Sequence, residues 1–452
     1  MALDVLVVGG GGREHALVRG LKRGSQIGRL FCAPGNAGIA ADAQLVPLAA
    51  DDLPGLLAFV EQEMIDLTVV GPEAPLVAGL ADLLRSRGHT VFGPDKAGAK
   101  LEGSKAFAKE LMEAAGVPTG ASARFTDYDA AREYLDRVGV PVVVKADGLA
   151  AGKGVMVALT MEEAEDALRE CFVDRRFGTA GDVVLIEEFL SGEELSLLAV
   201  VSGRQILPLA PAQDYKRALD GDAGPNTGGM GSYSPVPAVD EEFYAQLVTA
   251  VVRPTVDEIA RRGIDFRGVL YAGLMLTAEG PKVLEFNCRF GDPETQALLP
   301  RLRSDLLELL WRAALGEELP AAVWSQGPAV GVVMASRGYP VSSSKGDVIS
   351  GLDEVAQVPG VEVLHSGTAR SHGDVVTAGG RVLTVTAVGA SFAEARRLAY
   401  EGVARIKFDG AQHRTDIALR AEEWERERAE SAFPPAGQET PPAGQAGPDS
   451  TS

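Results

Sequence analysis

The segment Val283-Leu-Glu-Phe-Asn-Cys-Arg-Phe-Gly-Asp-Pro-Glu294, which follows the apolar run Gly268-Val-Leu-Tyr-Ala-Gly-Leu-Met275, is the most informative part of this sequence. Side chains alternate between the two faces of a strand, so Glu285, Asn287 and Arg289 share one face. Carboxylate and amide oxygens are ligands that Mg²⁺ accepts, and a guanidinium pairs with phosphate. This face therefore suits a magnesium-bound polyphosphate. The alternative is an edge strand with a solvated outer face, which the apolar intervening residues disfavour.

A glycine-rich segment lies between two short predicted strands at residues 142–145 and 155–158. Its Gly148, Gly152 and Gly154 let backbone N–H groups approach phosphate oxygens, and Lys153 adds positive charge. It is not a P-loop, because three residues separate Gly148 from the Gly-Lys pair, glycine follows the lysine, and a strand comes next. We expect a hairpin lid over a nucleotide. A flexible glycine hairpin without a ligand is the alternative.

These two stretches resemble the nucleotide lid and metal strand of the ATP-grasp superfamily. Within it, the chain resembles the phosphoribosylamine–glycine ligase family (the glycinamide ribonucleotide synthetases) over residues 3–420. The similar segments follow one another in order and are Gly9-Gly-Gly-Gly-Arg-Glu-His-Ala16, Ala33-Pro-Gly-Asn-Ala-Gly38, Val70-Gly-Pro-Glu-Ala-Pro75, Leu101-Glu-Gly-Ser-Lys-Ala106, Ile186-Glu-Glu-Phe-Leu190, Pro225-Asn-Thr-Gly-Gly-Met-Gly231 and Gly380-Arg-Val-Leu383.

The resemblance implies an ATP-dependent carbon–nitrogen ligase of purine synthesis. Such an enzyme converts glycine to glycyl phosphate, which 5-phosphoribosylamine attacks to give glycinamide ribonucleotide, with ADP and phosphate released. Two alternatives are another ATP-grasp carboxylate–amine ligase and a nucleotide-binding protein that has lost catalysis. The retained Lys105, Lys145, Glu285, Asn287 and Arg289 argue against loss of catalysis.

The fold class predicted is α/β, with three domains. Strands and helices alternate over residues 1–101, which predicts a Rossmann-like parallel-sheet domain that binds substrate. The resemblance implies an ATP-grasp domain at 102–327, with a small lid lobe at about 119–190, and a C-terminal αβ domain at 328–420. Residues 421–452 are charged and then rich in Pro, Gly and Gln, so we expect a disordered tail.

Composition excludes several classes of protein. The chain has 452 residues, 46% apolar and 23% charged, as expected of a globular protein. Its net charge of −20 argues against nucleic-acid or anionic-membrane partners. Three distant cysteines do not suggest disulfides or zinc, and we find neither a signal peptide nor an apolar span. We expect a cytoplasmic protein with small-molecule partners, as a monomer or weak homodimer.

The resemblance implies that ATP and Mg²⁺ (or Mn²⁺) are bound. Lys105 and Lys145 would reach the ATP phosphates, beneath the lid residues Gly148, Gly152, Lys153 and Gly154. The segment from Glu187 to Leu190 would read adenine through its main chain, and Glu194 would hold the ribose. For Lys145 the alternative is an ion pair with a neighbouring acid, and for Glu194 it is a solvated position in a loop.

For the reacting groups, the resemblance assigns Glu285 and Asn287 to the metal and Arg289 to the transferred phosphoryl group. The preceding strand, residues 269–277, carries no carboxylate that could bind a second metal ion. Asp292 and Glu294 are the nearest spare carboxylates. They could instead orient Arg289 or bind the ammonium group of glycine.

A long polar segment at residues 212–234 is expected to be either a functional loop or disordered. The resemblance places Asp214, Lys216, Asn226, Gly228 and Gly229 around the reacting substrates. Tyr215 stands where the family often has histidine. Because a tyrosine does not titrate near neutral pH, a proton-transfer role at this position is doubtful.

The N-terminal glycine loop, with Gly11, Gly12, Arg13 and Glu14, is expected to bind a phosphate at the start of a helix. It does not spell a dinucleotide fingerprint, since His15 stands at the position of the last glycine. Two neighbouring strand ends carry further candidates for sugar binding, which are Asn36, Gly38 and Glu73.

Overall fold

The N-terminal region is a five-stranded parallel sheet with helices packed against it. The structure is a computed structural model that describes residues 2–149 and 154–432. The elements of this region are β1 (Leu3–Gly9), α1 (Gly12–Lys22), β2 (Ile27–Pro34), β3 (Gln44–Leu45), α2 (Leu53–Glu63), β4 (Leu67–Val70), α3 (Glu73–Ala78), α4 (Leu80–Ser86), β5 (Thr90–Phe92) and α5 (Lys96–Gly103). The strand order is β3-β2-β1-β4-β5. The long apolar runs of β1 and β4 are buried, as in parallel sheets covered on both faces.

A small lobe follows, built on a four-stranded antiparallel sheet in the order β6-β9-β7-β8. The helix before it begins where the side chain of Ser104 accepts the Phe107 N–H, in keeping with the preference of serine for this position. These elements are α6 (Lys105–Ala115), β6 (Ser122–Phe125), α7 (Tyr128–Val138), β7 (Val142–Ala146), β8 (Val155–Ala158), α8 (Met161–Phe172) and β9 (Val184–Glu188). The predicted hairpin of β7 and β8 is confirmed, and it brackets the glycine-rich segment.

The central region contains a second antiparallel sheet, in the order β11-β10-β16-β17. Its elements are β10 (Glu193–Ser202), β11 (Gln205–Pro208), β12 (Gln213–Asp214), β13 (Arg217–Leu219), β14 (Ala223–Asn226), β15 (Gly231–Ser234), α9 (Glu241–Leu247), α10 (Arg253–Arg261), β16 (Arg267–Thr277), β17 (Gly280–Asn287), α11 (Glu294–Leu298) and α12 (Leu306–Leu315). A π-helical turn, Val248–Val252, separates α9 from α10 just before Pro254, a residue that cannot donate a main-chain hydrogen bond inside a helix.

The C-terminal region completes a third sheet, in the order β12-β15-β18-β22-β19. Its elements are β18 (Ala329–Ala335), α13 (Leu352–Val355), β19 (Val361–His365), β20 (Thr368–Ser371), β21 (Asp374–Thr377), β22 (Arg381–Val388), α14 (Phe392–Arg405) and α15 (Leu419–Ala432). Two strands of this sheet, β12 and β15, come from the long polar segment 212–234. That segment therefore has regular structure, because β12 pairs with β15 and β15 pairs with β18 of the C-terminal region.

The expectation of a tail without structure from residue 421 is wrong for residues 421–432, which continue α15. Ala421 is buried, the Glu422 carboxylate pairs with Arg396 at 2.7 Å, and Glu425 accepts the Phe392 N–H. Composition predicts disorder because the segment is strongly charged, but its glutamate side chains form hydrogen bonds with α14. Residues 433–452 lie outside the described residues.

One cluster of buried apolar side chains crosses the N-terminal, central and C-terminal regions, including Val8, Leu274 and Val385. A helix long and apolar enough to cross a membrane is not found in the described part of the chain.

Candidate active site

A cavity of about 880 Å³ lies between the small lobe, the central sheet and the N-terminal loops. Its walls include strands β7 and β8 on one side and β16 and β17 on the other. The site candidates of the sequence that line it are Arg13, Glu73, Lys105, Lys145, Gly148, Gly154, Glu187, Leu190, Glu194, Asp214, Lys216, Asn226, Gly228, Glu285, Asn287, Arg289 and Asp292. Residues up to 279 positions apart in the sequence, Arg13 and Asp292, are thus brought to one space, while Gly152 and Lys153 lie outside the described residues.

The strand that decides the fold is β17, which pairs with β16 so that Glu285 lies opposite Gly273 and Asn287 opposite Tyr271. Both side chains border the cavity, which places an anionic and a neutral oxygen side by side. Burial alone would raise the pKa of Glu285, but the surrounding cations, foremost Lys216 and Lys145, lower it below its ordinary value. Glu285 is therefore held ionised.

These two side chains fit a hard divalent cation that takes its remaining oxygens from phosphates and water. A cluster of three or more histidine, cysteine or acidic side chains that could hold an ion is absent from the described residues. The described residues of this site therefore cannot coordinate a metal ion through such side chains alone. Its two ligands suit an ion that arrives with a nucleotide.

Arg289 is fixed by two carboxylates, Glu102 at 2.8 Å and Glu73 at 3.4 Å, and donates to Asn287 Oδ1 at 3.1 Å. Burial would lower the pKa of its guanidinium, but Glu102 and Glu73 raise it. The sequence interpretation quoted the segment containing Glu102 but gave this residue no role. Glu102 also accepts the Cys288 N–H at 2.9 Å, so it ties the residue that follows β17 to helix α5.

Three lysines bring positive charge to the side of the cavity beneath the small lobe. Lys105 Nζ donates to the Gly148 carbonyl at 3.0 Å, and Lys145 Nζ lies 3.0 Å from Glu187 Oε2. Lys109, which the sequence interpretation missed, lies 3.0 Å from the same oxygen. It follows Lys105 by four residues on α6, so helical spacing could have indicated that the two share a face.

Burial is the largest cause that lowers the pKa of Lys105 and of Lys109. A polyphosphate in this part of the cavity would supply the compensating negative charge. The Glu187 side chain points at the lysines, and the Glu188 carboxylate accepts the Ala121 N–H at 3.1 Å. Reading of adenine by the main chain of Glu187–Leu190 stays a prediction.

Residues 213–231, called here the substrate loop, contribute an ion-pair cluster. Lys216 Nζ contacts Glu194 and lies 3.2 Å from Asp214 Oδ1. Burial raises the pKa of Asp214, and Lys216 opposes that rise without cancelling it. The Glu194 carboxylate, predicted to hold the ribose, is here bound to Lys216. A ribose contact would require sharing or exchange of this partner.

Tyr215 lies outside the cavity lining and faces the C-terminal region. Its hydroxyl accepts the Ala418 N–H at 2.9 Å, and the Arg414 guanidinium lies 4.7 Å from its ring centroid. Burial raises the pKa of Tyr215 to about 12. The sequence makes a proton-transfer role at this position doubtful, and the location of Tyr215 outside the cavity lining also argues against it.

The two spare carboxylates after Arg289 have other partners. Glu294 accepts the Tyr271 hydroxyl at 2.6 Å, and Asp292 pairs with Arg381 at 3.0 Å. Arg381, whose role the sequence interpretation missed, also donates to the Asp292 and Gly228 carbonyls at 2.9 and 2.5 Å. Among the described residues neither carboxylate forms a hydrogen bond or ion pair with Arg289.

At the N-terminal end of the cavity, Arg13 Nη1 donates to the Phe290 carbonyl at 3.1 Å and its Nε to Glu14 at 2.6 Å. Glu14 in turn accepts the Gly11 N–H at 2.6 Å and closes the first turn of α1. A Cβ at Gly12 would lie 2.6 Å from Gln296 Nε2, so glycine is needed for this close packing.

Asn36 has a different role from the one expected. Its amide donates to the Gly10 and His365 carbonyls and accepts the N–H groups of Gly38 and Ile39. These four bonds use the whole hydrogen-bonding capacity of the amide, so the structure gives Asn36 a structural contact in place of the ribose contact. A Cβ at Gly38 would lie 2.4 Å from the His365 ring, which likewise indicates packing.

Comparison with known proteins agrees with this geometry. Three family models match in order: the N domain of phosphoribosylglycinamide synthetase at residues 3–102, its ATP-grasp (A) domain at 103–295, and its C domain at 329–420. The phosphoribosylamine–glycine ligase of Vibrio parahaemolyticus is 49% identical over 431 residues, covering 94% of this chain and all of the relative. That of Allochromatium vinosum is 53% identical over 424 residues, covering 93% and 99%.

Among solved structures, the phosphoribosylamine–glycine ligase of Thermotoga maritima is 35% identical with a TM-score of 0.79, covering 92% of this chain and 100% of that one. The biotin carboxylase domain of Hydrogenobacter thermophilus 2-oxoglutarate carboxylase has a TM-score of 0.72 at 15% identity, covering 91% and 92%, and shows the fold alone. The family models and the two curated relatives together show that the chain belongs to the phosphoribosylamine–glycine ligase family of ATP-grasp proteins.

Proposed function

We propose that this cavity joins glycine to 5-phosphoribosylamine at the expense of ATP, which is the reaction that names the family. The chain is an ATP-dependent carbon–nitrogen ligase of purine synthesis. The observation that carries the site proposal is the placement of Glu285, Asn287 and Arg289 in one cavity with Lys105 and Lys145. Two oxygen ligands, a guanidinium and two ammonium groups are what a metal-bound triphosphate requires.

The first chemical step activates glycine. A carboxylate oxygen of glycine attacks the γ-phosphorus of ATP, the bond to the β-phosphate oxygen breaks, and ADP leaves. Lys105 and Lys145 hold the phosphates. Arg289 stays paired with the phosphoryl group during its transfer, and its ion pair with Glu102 fixes the position of the guanidinium. The divalent cation, Mg²⁺ or Mn²⁺, would be held by Glu285 and Asn287 and neutralise phosphate charge. Positioning and charge neutralisation are the main demands of this step.

The second step forms the amide. The sugar amine attacks the carbonyl carbon of glycyl phosphate, phosphate leaves, and the amine nitrogen loses a proton. We assign Asp214 to accept that proton, because burial raises its pKa and its side chain borders the cavity. Lys216 lies beside it and would stabilise negative charge on the departing phosphate.

The sugar phosphate belongs at the N-terminal end of the cavity. Arg13 borders it, and the glycine loop leads into the first turn of α1, and a helix N-terminus favours an anion. Glu73, the first residue of α3, would accept hydroxyls of the ribose. The sugar would thus lie beyond Arg289 from the nucleotide, with its amine directed at the acyl phosphate.

Phosphate release from ATP tests this function. The purified protein should release phosphate only when glycine and phosphoribosylamine are both present, and the product should contain both. Equal turnover with formate or bicarbonate in place of glycine would favour another ATP-grasp ligase. Tight ATP binding without any glycine-dependent turnover would favour the non-catalytic alternative.

A further inference from the structure

The substrate loop is built into the C-terminal sheet. Strand β12 pairs with β15, with Gln213 opposite Tyr233, and β15 pairs with β18 of the C-terminal region. Asp214 and Lys216, two of the loop residues that line the cavity, therefore stand on an edge that the C-terminal region supports. Their position relative to β17 depends on contacts outside the cavity.

A short C-terminal segment, residues 414–418, binds the loop but does not itself line the cavity. Six hydrogen bonds join this segment to residues 215–222. Three come from Thr415 and Asp416: Thr415 donates its N–H and hydroxyl to Asp220, and Asp416 accepts the Gly221 N–H at 2.9 Å.

Arg414 is the centre of this contact, with a side chain only 1% exposed. Its guanidinium donates to the Arg217 carbonyl at 3.2 Å and to Asp222 at 2.8 Å, and it binds Asp416 through two nitrogens. It also covers the ring of Tyr215, whose hydroxyl accepts the Ala418 N–H. The arginine thus contacts residues on both sides of Lys216 without entering the cavity.

Position 216 is one of the positions through which this contact reaches the cavity, and Arg217 and Asp222, which Arg414 binds directly, line it as well. Lys216 lies between Tyr215 and Arg217, both held by Arg414, and its own side chain points the other way, to Asp214 and Glu194. A buried, multiply bonded arginine specifies one geometry, since moving it would leave charged groups unpaired. Tyr215, where the family often has histidine, serves the same contact through its ring and hydroxyl.

We propose that Arg414 is a positioning residue for the ligase reaction, acting through Tyr215 and the 217–222 turn to hold Lys216 and Asp214 against the metal strand. This proposal rests on the proposed function, because its kinetic test measures the ligase reaction. The C-terminal region then contributes to catalysis, although residues 414–418 do not line the cavity.

The test is Arg414→Met, which keeps an unbranched stem over Tyr215 and removes the hydrogen bonds. The specificity constants kcat/KM for glycine and for phosphoribosylamine should each fall on the order of 10–100-fold, as expected when a reacting group is displaced. ATP affinity, measured by direct titration, should change by less than about threefold, since its proposed contacts lie on other elements. Hydrogen exchange of residues 213–231 should be faster in the variant.

Arg397→Met is the matched control, because Arg397 forms an exposed ion pair with Glu401 in the same region. It should leave kinetics and exchange unchanged. Kinetic constants of Arg414→Met within about twofold of this control would overturn the proposal, as would an equal loss of ATP affinity. A loss shared by all ligands would indicate a merely structural role.

Tyr215→Phe provides a second variant if Arg414→Met does not fold. It retains the ring beneath Arg414 and loses the hydroxyl that accepts the Ala418 N–H, so the same pattern should follow with smaller changes. Unchanged kinetics and unchanged exchange in this variant would also overturn the proposal. Absence of glycine-dependent turnover in the wild-type protein would refute the proposed function instead, and exchange would still report whether Arg414 orders the loop.

Discussion

Lys145 and Glu187 form an ion pair of 3.0 Å at the wall of the cavity, and Lys109 lies at the same distance from the same carboxylate oxygen. The sequence left two interpretations of Lys145, a phosphate contact or an ion pair with an acid. The structure has the ion pair, and Lys145 borders the cavity as well. One buried carboxylate thus holds two lysines in place at the site proposed for phosphate.

Glu187→Gln should destabilise the protein without nucleotide. Both lysines and Glu187 are nearly buried, and removing one partner of a buried pair costs up to about 3–5 kcal/mol because charge is left uncompensated. ATP should restore part of the loss, since its phosphates supply negative charge near the same lysines. Thermal unfolding with and without ATP measures both effects.

Glu188→Gln is the matched control for this prediction. Glu188 is the next residue, and its pair with Lys282 involves a side chain 41% exposed, so its loss should matter little. Equal melting temperatures for the two variants would contradict the role given to Glu187.

Glu285→Gln should impair turnover far more than folding. The change keeps the shape of the side chain and removes the charge that would hold the metal, which typically costs about 2.7–4 kcal/mol in the transition state, or roughly 10²–10³ in rate. Turnover at increasing Mg²⁺, together with the melting temperature, checks this. Glu279→Gln, in the exposed turn of the same hairpin, should behave as the wild type. Near-normal turnover of Glu285→Gln at ordinary magnesium would remove Glu285 from the metal site.

Local pattern was sufficient for the parts of the site that lie on one element. Strand alternation predicts that Glu285 and Asn287 share a face, and the structure places both beside the cavity. The β7–β8 hairpin and the start of α6 at Ser104 also follow from strand patterns and capping preferences. Each of these depends on residues within a few positions of one another.

Contacts between distant elements were not predictable in this way. Glu102 meets Arg289 across 187 positions, and Arg381 meets Gly228 across 153. Neither pair has a periodicity or spacing that would reveal it. The position of Asn36 after a strand predicts a sugar contact, yet its amide is saturated by main-chain groups of Gly10, of Gly38 and Ile39, and of His365. Which partner a polar side chain takes is decided by packing.

Acid should weaken the protein partly through Asp42. Burial would raise the pKa of its carboxyl, but hydrogen bonds from His15, Lys22 and Arg19 lower it well below the ordinary value. Because the folded-state pKa is the lower one, this stabilisation is present above the unfolded-state pKa of about 3.9 and is lost as the pH falls through the folded-state pKa.

Asp42→Asn should therefore lower stability at neutral pH and make the acid decline shallower than in the wild type. Denaturant unfolding measured between about pH 7 and about pH 3 covers the start of the decline. Asp51→Asn, at an exposed position of the same region, should keep the wild-type slope. Parallel curves for wild type and Asp42→Asn would show that this carboxyl does not contribute to the acid sensitivity.

Truncation should separate the two halves of the C-terminal tail. Ending the chain after residue 421 removes Glu422 and Glu425, which bind Arg396 and the first N–H of α14, so the melting temperature should fall. Ending it after residue 432 removes only the segment rich in Pro, Gly and Gln, and should leave stability and turnover intact. A lower melting temperature in the protein that ends at residue 432 would mean that residues beyond 432 pack against the rest of the chain.

Arg13→Ala should raise the KM for phosphoribosylamine while leaving ATP binding nearly unchanged. Loss of a hydrogen bond to a charged group costs roughly 1.5–3 kcal/mol, which is about one to two orders of magnitude in KM. Arg23→Ala is the matched control, because Arg23 follows α1 directly and likewise donates to a main-chain carbonyl, that of Leu299. It should affect stability at most. If ATP affinity falls in Arg13→Ala and the KM for the sugar amine stays the same, the nucleotide reaches the glycine loop, and the division of the cavity proposed above is wrong.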